Sequence, residues 1–347
     1  MFDSQACPIP LSDYPRVLLA HGGGGRLSRQ LIERLFASVF ASPLGDRGHD
    51  GAVFDSEFSR WAISTDTFVV QPLFFPGGDI GALAVNGTVN DVSMCGASPR
   101  YLSTGFVIEE GFPMETLWRV ALSMKHAADN AGVFIVTGDT KVVERGKGDG
   151  LFINTTGIGL VRPGVTISPR RAVPGDVIVL SGMIAEHGIA VMSVREGLAF
   201  ASVIESDTRP LNALVAGMLD ICPDIHVLRD PTRGGVSSAL NEIASDAGVG
   251  IQIEETLIPI REDVRGACEI LGLDPLYVAN EGVLLAILPE HDAQRVLDDM
   301  HSREEARAAR IIGRVVEQHP GTVVMRTAVG GNRVVDMLSG EQLPRIC

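Results

Sequence analysis

Residues 60–96 read RWAISTDTFVVQPLFFPGGDIGALAVNGTVNDVSMCG, and this stretch decides the fold class. Its first part, Arg60–Val70, reads as a strand. Its last part, Asp79–Gly96, is rich in small residues and reads as a helix suited to close packing. Working outward, Leu27, Leu31, Leu35, Phe36, Val39 and Phe40 recur at helical spacing and predict an earlier helix over about Leu27–Phe40. The glycine run Gly22–Gly25 precedes it. Downstream, Pro113 opens a helix through PMETLWRVALSMKHAADNAG, with Leu117, Val120, Ala121, Met124 and Ala128 on one face. The segments VFIVTGD and LFINTTGIGLV read as strands.

The alternation resumes after RPGVTISPRRAVPGD, which is rich in proline and glycine and has little periodicity. Strands are predicted at DVIVLSG, HVLRD, VGIQIEE, GVLLAILP and IIGRVVE. Helices are predicted at RPLNALVAGMLDI, GVSSALNEIASDAG and REDVRGACEILG. The result is an α+β protein of two similar domains, as a chain of 347 residues suggests, since single cores stop growing at ~250–300 residues. The expected divisions are an N-terminal extension over 1–17, domains over 18–165 and 166–330, and a mobile tail over 331–347.

A net charge of −14 disfavours phosphate backbones, so nucleic acid is not an expected partner. The start carries no secretory pattern, and the longest apolar runs fall short of the ~20 residues of a membrane span. The cysteines Cys7, Cys95, Cys222, Cys268 and Cys347 form neither a disulfide framework nor a zinc pattern, so a reducing, cytoplasmic setting is expected.

Several residues are candidates for chemistry. Asp50, Asp66, Asp91 and Asp230 sit beside Gly, Thr or Asn, which suits either hard-cation coordination or capping and turn formation. The His21–Arg26 run HGGGGR either wraps phosphates or forms a flexible loop; no GK[ST] follows it. Lys141, just past an expected strand end, meets a phosphate or solvent. Glu281 stands before an apolar strand, as a partly desolvated general base or an exposed strand-end carboxylate. Cys347, on the last residue, is a carrier thiol on a movable arm or an accident. Residues 331–347 would reach at most roughly 55 Å.

Taken together, HGGGG, STDTFVVQPLFFPGGDIG, GTVND, GDTKVVERG, DPTRGG, LGLDPLYVANEG and LPRIC closely resemble the HypE family of hydrogenase maturation proteins. The resemblance runs from about Leu18 to Cys347. It extends to a superfamily with aminoimidazole ribonucleotide synthetase, selenophosphate synthetase and thiamine monophosphate kinase. It implies an aminoimidazole ribonucleotide synthetase-like two-domain fold, a homodimer joined through the N-terminal domains, and use of ATP with Mg²⁺. Gly23, Gly24, Thr65, Asp66, Asp91, Gly138, Asp139 and Thr140 would then bind the nucleotide. Asp50, Asp66, Asp91 and Asp230 would hold the metal. Cys347 would carry a carbamoyl group received from the carbamoyltransferase HypF, and Lys141 and Glu281 would assist its ATP-dependent dehydration to a thiocyanate. The cyano group would pass to iron on the HypC–HypD complex for the [NiFe]-hydrogenase centre. A superfamily enzyme acting on a small molecule, and a scaffold that binds nucleotide without turnover, are the competing readings.

Overall fold

The structure is a computed structural model that describes residues 15–18, 31–39, 60–198, 203–337 and 346–347. Gly23, Gly24 and Asp50 lie outside the described residues. The first helix, α1, comprises Leu31–Phe36 and Ala37–Val39, and it buries Leu31, Leu35, Phe36 and Val39 as its spacing predicts. Phe36 stacks on Phe106 with ring centroids 4.8 Å apart.

Strand β1 (Trp61–Phe68) leads through the short strands β2 (Phe74–Phe75) and β3 (Gly78–Asp79) into α2 (Ile80–Met94). Asp79 caps α2, its carboxylate accepting from the N–H groups of Gly81 and Ala82. Then come β4 (Ala97–Glu109), α3 (Met114–Ala131), β5 (Phe134–Val143) and β6 (Leu151–Val161). The strands form one sheet in the order β1-β6-β4-β5, antiparallel except for the β4–β5 pair. Helix α2 is buried almost throughout because its small residues let it lie tight against its neighbours. A Cβ at Gly81 would stand 2.5 Å from the Val120 carbonyl of α3, and one at Gly157 of β6 would stand 2.8 Å from the Thr88 methyl. Leu83, Leu117, Met124 and Phe68 fill this core, each contributing about 1.5–3 kcal/mol by burial.

In the first domain the 13-residue β4 was not anticipated by the sequence reading. Two expected boundaries also move. Val17, assigned to an N-terminal extension, is fully buried and exchanges backbone hydrogen bonds with Gly111 and Phe112. Lys141, placed beyond a strand end, lies within β5.

The second sheet takes the order β13-β12-β9-β11-β7-β10-β8. In chain order its elements are β7 (Val177–Leu180), α4 (Glu186–Arg195), α5 (Asn212–Ile221), β8 (Val227–Arg229), α6 (Gly235–Ala247), β9 (Gly250–Glu254), α7 (Glu262–Leu271), β10 (Leu285–Leu288), α8 (Glu290–Ser302), β11 (Arg310–Val316), β12 (Val323–Arg326) and β13 (Asn332–Val334). Strands β7 and β10 are buried on both faces, so they read as continuous apolar runs.

The first residues of the tail expected over 331–347 are tied to the second domain. Asn332–Val334 pair with β12, Val335 is buried, and the Asp336 carbonyl accepts from Ser237 Oγ at 2.7 Å and Tyr277 Oη at 2.9 Å. Among the described residues no helix is long and apolar enough to cross a membrane.

Candidate functional site

Helix α2 is the wall between the two domains. One side packs on β1 and β6, and the other receives the irregular segment that runs up to α5. Asn90 holds that segment: its Nδ2 donates to the Arg209 carbonyl at 3.1 Å, and its Oδ1 accepts from Leu211 N–H at 2.7 Å. Asp207 lies on the same segment. Its buried carboxylate accepts from the N–H groups of Glu281 and Gly282, at 3.1 and 2.8 Å. In this way the second domain brings Glu281 against α2, where Glu281 Oε2 lies 3.8 Å from the position a Cβ on Gly87 would take.

Glu281 is not the exposed strand-end residue that its position before an apolar run also allowed. It is only 3% exposed, and Oε1 has no hydrogen-bond partner among the described residues. Burial, reinforced by Asp230, Asp207, Asp66 and Asp91, raises its pKa well above the ordinary carboxylate range.

Asp66, Asp91 and Asp230 share one electrostatic environment. Ser64 Oγ donates to Asp91 Oδ2 at 2.7 Å, tying β1 to α2. Burial raises the Asp91 pKa, and Asp66 adds to the effect. Asp230, just after β8, is pushed up to about 7 by burial and by Asp91. Strand alternation puts Ser64 and Asp66 on the α2 face of β1 and Thr65 on the opposite face. Thr65 accordingly hydrogen-bonds Thr156 and Asn154 on the open side, away from the aspartates.

Gly138, Asp139, Thr140 and Lys141 occupy β5 at the sheet edge. Asp139 and Lys141 pair at 3.1 Å with side chains 72% and 65% exposed. The Lys141 ammonium holds the Asp139 carboxyl below its usual range.

The chain's last two residues enter the same region. Ile346 is 3% exposed and belongs to the first domain's core, with Cys347 packed against it. Val69 N–H donates to the Cys347 carbonyl at 3.0 Å, and His187 Nε2 lies 2.8 Å from the Ile346 carbonyl. Burial raises the Cys347 thiol pKa strongly. Glu281 is the charged group that adds most to this, and Arg233 opposes it. The structure therefore gathers Cys347, Glu281, Asp66, Asp91 and Asp230. It also adds Ser64, Asp207, His187 and Arg233, which sequence reasoning missed. Arg233 lay within the quoted DPTRGG motif, so a signal for it was available.

The donor set suits a hard cation completed from outside. Carboxylate oxygens crowd together enough to raise one another's pKa values, which a cation would relieve. Among the described residues no group of three or more His, Cys, Asp or Glu can hold a metal alone. Mg²⁺ takes one or two carboxylates and shares its remaining positions with phosphates and water.

Models of the AIR synthase related protein N-terminal and C-terminal domains match residues 48–161 and 173–326. The chain is 56% identical over 331 residues to carbamoyl dehydratase HypE of Azotobacter vinelandii, covering 95% of this chain and 97% of that one. It is 45% identical over 336 residues to carbamoyl dehydratase HypE of Escherichia coli, covering 95% and 99%. Among solved structures, it is similar to hydrogenase maturation protein HypE in complex with ATP, with a TM-score of 0.92 at 51% identity, covering 95% and 99% of the two chains. A HypE–HypF complex gives 0.79 at 47% identity, covering 89% and 99%. Both domain matches and relatives at more than half identity across nearly the whole length lead to one conclusion: the chain belongs to the HypE family, the carbamoyl dehydratases of hydrogenase maturation.

Proposed function

We propose that this carbamoyl dehydratase works on its own Cys347, converting an S-carboxamide there into a thiocyanate at the expense of ATP. One observation carries the reading. Ile346 and Cys347 are seated beside α2, and the buried Glu281 is the charged group acting most strongly on the thiol.

The chemistry follows from the groups present. An amide oxygen is a poor leaving group, and ATP supplies the phosphoryl group that lets it depart as phosphate. The two nitrogen-bound protons must also be removed. Glu281 is the acceptor: a carboxylate with a raised pKa is a stronger base, and Oε1 has no competing donor. Packing around Ile346 and α2 limits water at the reacting carbon, which protects the product from hydrolysis. Asp66, Asp91 and Asp230 would hold Mg²⁺ against the phosphates. In this proposal Gly138, Asp139 and Thr140 contact the nucleotide from β5 together with Gly23, Gly24 and Thr65, Asp50 serves the cation, and Lys141 neutralises charge on the transferred phosphoryl group.

The sheet face opposite α2 exposes Ile63, Val107 and Phe134, which supports a homodimer formed through the first domain. HypF as carbamoyl donor, the HypC–HypD complex as iron-bearing acceptor, and a cytoplasmic setting complete the proposal. The test is mass spectrometry of the peptide ending in Cys347. Incubation with the carbamoyltransferase should give a carbamoyl adduct, and MgATP should then remove the mass of one water. An adduct that persists while ADP accumulates would overturn the proposal.

A further inference from the structure

His187 has no part in the dehydration chemistry itself, yet it is fully buried in the first turn of α4. Both ring nitrogens are engaged. Nδ1 lies 2.8 Å from Ser206 Oγ, and Nε2 lies 2.8 Å from the Ile346 carbonyl oxygen. A carbonyl only accepts, so Nε2 carries the proton and Nδ1 accepts from the Ser206 hydroxyl. Phe75 packs edge-on against the ring with centroids 5.4 Å apart. Burial lowers the ring pKa to about 4, with the Ile346 carbonyl pulling the other way, so the imidazole is neutral and its tautomer is set by its two partners.

Ser206 is fixed in turn. Its N–H donates to the Pro76 carbonyl at 2.8 Å, and its Oγ accepts from Thr208 N–H at 3.1 Å. The next residue is Asp207, whose carboxylate holds the Glu281 and Gly282 N–H groups. Packing there is close: a Cβ on Gly282 would stand 1.8 Å from the Asp207 carbonyl. Two adjacent residues therefore face two different tasks. Ser206 orients the histidine that touches the tail, and Asp207 orients the base.

We propose that His187 is a positioning residue for the dehydration, fixing the inward seat of Cys347 through the Ile346 carbonyl and registering it against Glu281 through the rigid Ser206–Asp207 segment. The idea rests on Cys347 being the reacting thiol. Cysteine labelling reads tail docking without turnover, so the two readings can fail separately.

The experiment compares the full chain with its His187→Leu, His187→Gln and Ser206→Ala variants. Iodoacetamide labelling of each cysteine is followed by mass spectrometry, with the buried Cys222 and Cys268 as internal references for global opening. His187→Leu loses the donor and should speed labelling of Cys347 by about tenfold, with Cys222 and Cys268 still protected. The side-chain amide of His187→Gln can donate to the same carbonyl and should stay within about threefold of the parent. Ser206→Ala leaves the ring in place but unpaired at Nδ1, and should speed Cys347 labelling by about threefold. In single-turnover dehydration of the carbamoylated chain, His187→Leu should slow the step by about tenfold at unchanged MgATP affinity, and His187→Gln should restore most of it. Parent-like labelling of Cys347 in both His187→Leu and Ser206→Ala would overturn the proposal. So would equal acceleration at Cys222, Cys268 and Cys347 in all three variants.

Discussion

Val69, the residue after β1, gives its backbone N–H to the carbonyl oxygen of Cys347 at 3.0 Å. The residue proposed to react is thus held by its own main chain, close to the strand that carries Asp66. Residues added after Cys347 would have to continue from that bonded carbonyl, inside a site where Ile346 is already buried. A two-residue extension is expected to slow thiocyanate formation at least about tenfold, with MgATP affinity within about twofold of the parent. Single-turnover mass spectrometry and calorimetry check the two halves; full-rate thiocyanate formation would show that the seat tolerates a longer chain.

Glu281→Gln is expected to fold, to accept the carbamoyl group and to stall before dehydration. The amide is nearly isosteric but cannot take the proton, and loss of a general base costs about 10²–10⁴ in rate. Its thermal midpoint should match or exceed the parent's, because the change removes a buried acid crowded by other carboxylates. Dehydration within a factor of about three of the parent would assign the base role elsewhere.

Asp91→Asn should weaken MgATP binding by at least about tenfold while preserving the fold, since Ser64 can still donate to the side-chain carbonyl. Asp66→Asn should act in the same direction. Titration calorimetry with and without Mg²⁺ measures this, and unchanged affinity in both variants would remove these residues from the cation site.

Ile63 is 68% exposed on the open face of the first sheet. Replacing it with lysine puts charge into the proposed dimer contact, and should shift the chain toward monomer by light scattering at micromolar concentration. A parent-like mass in Ile63→Lys would place the contact elsewhere.

Removing Ile346 and Cys347 should raise the pKa of His187 from about 4 toward its ordinary 6.5, because water then reaches the ring. Burial is the larger influence, so its relief outweighs loss of the Ile346 carbonyl. Since the folded value lies below the unfolded one, the stabilising contribution of neutral His187 is full above about pH 6.5. It is lost as pH falls toward about 4. Ring chemical shifts of His187 across that window, in the full and shortened chains, provide the measurement. An unmoved titration would mean that the tail does not shield the ring.

How far the sequence could be read depended on where each signal resides. Strand β1 and helix α2 were legible because small residues and capping are local. Strand β4 was not, and its burial pattern gives the reason. Ala97 and Pro99 face inward, the register shifts between Pro99 and Tyr101, and inward positions then continue at Leu102, Thr104, Phe106 and Ile108. That shift breaks the period of two on which strand recognition depends. Helix α4 was hidden because it is buried on most sides and shows no amphipathic stripe. In the site, the acidic residues and Cys347 carry their chemistry in their side chains and could be named in advance. Thr65 was grouped with Asp66, but adjacent strand residues face opposite ways, so its side chain lies on the open face of the sheet. His187 and Asp207 acquire their positions through contacts made 19 to 159 residues away, which no local pattern encodes.

The pairing of β13 with β12 and the burial of Val335 anchor the chain shortly before its end. From Met337 ten residues remain to Cys347 in the sequence, a contour of at most ~33 Å. A flexible connection of this contour would keep a linked substrate at an effective concentration on the order of millimolar. If Cys347 is the linked substrate, as proposed, saturation is a property of the molecule, and turnover per chain should not change on dilution. The same anchor sets a docking radius. Whatever loads or unloads the sulfur must bring its reacting centre within ~33 Å of Met337.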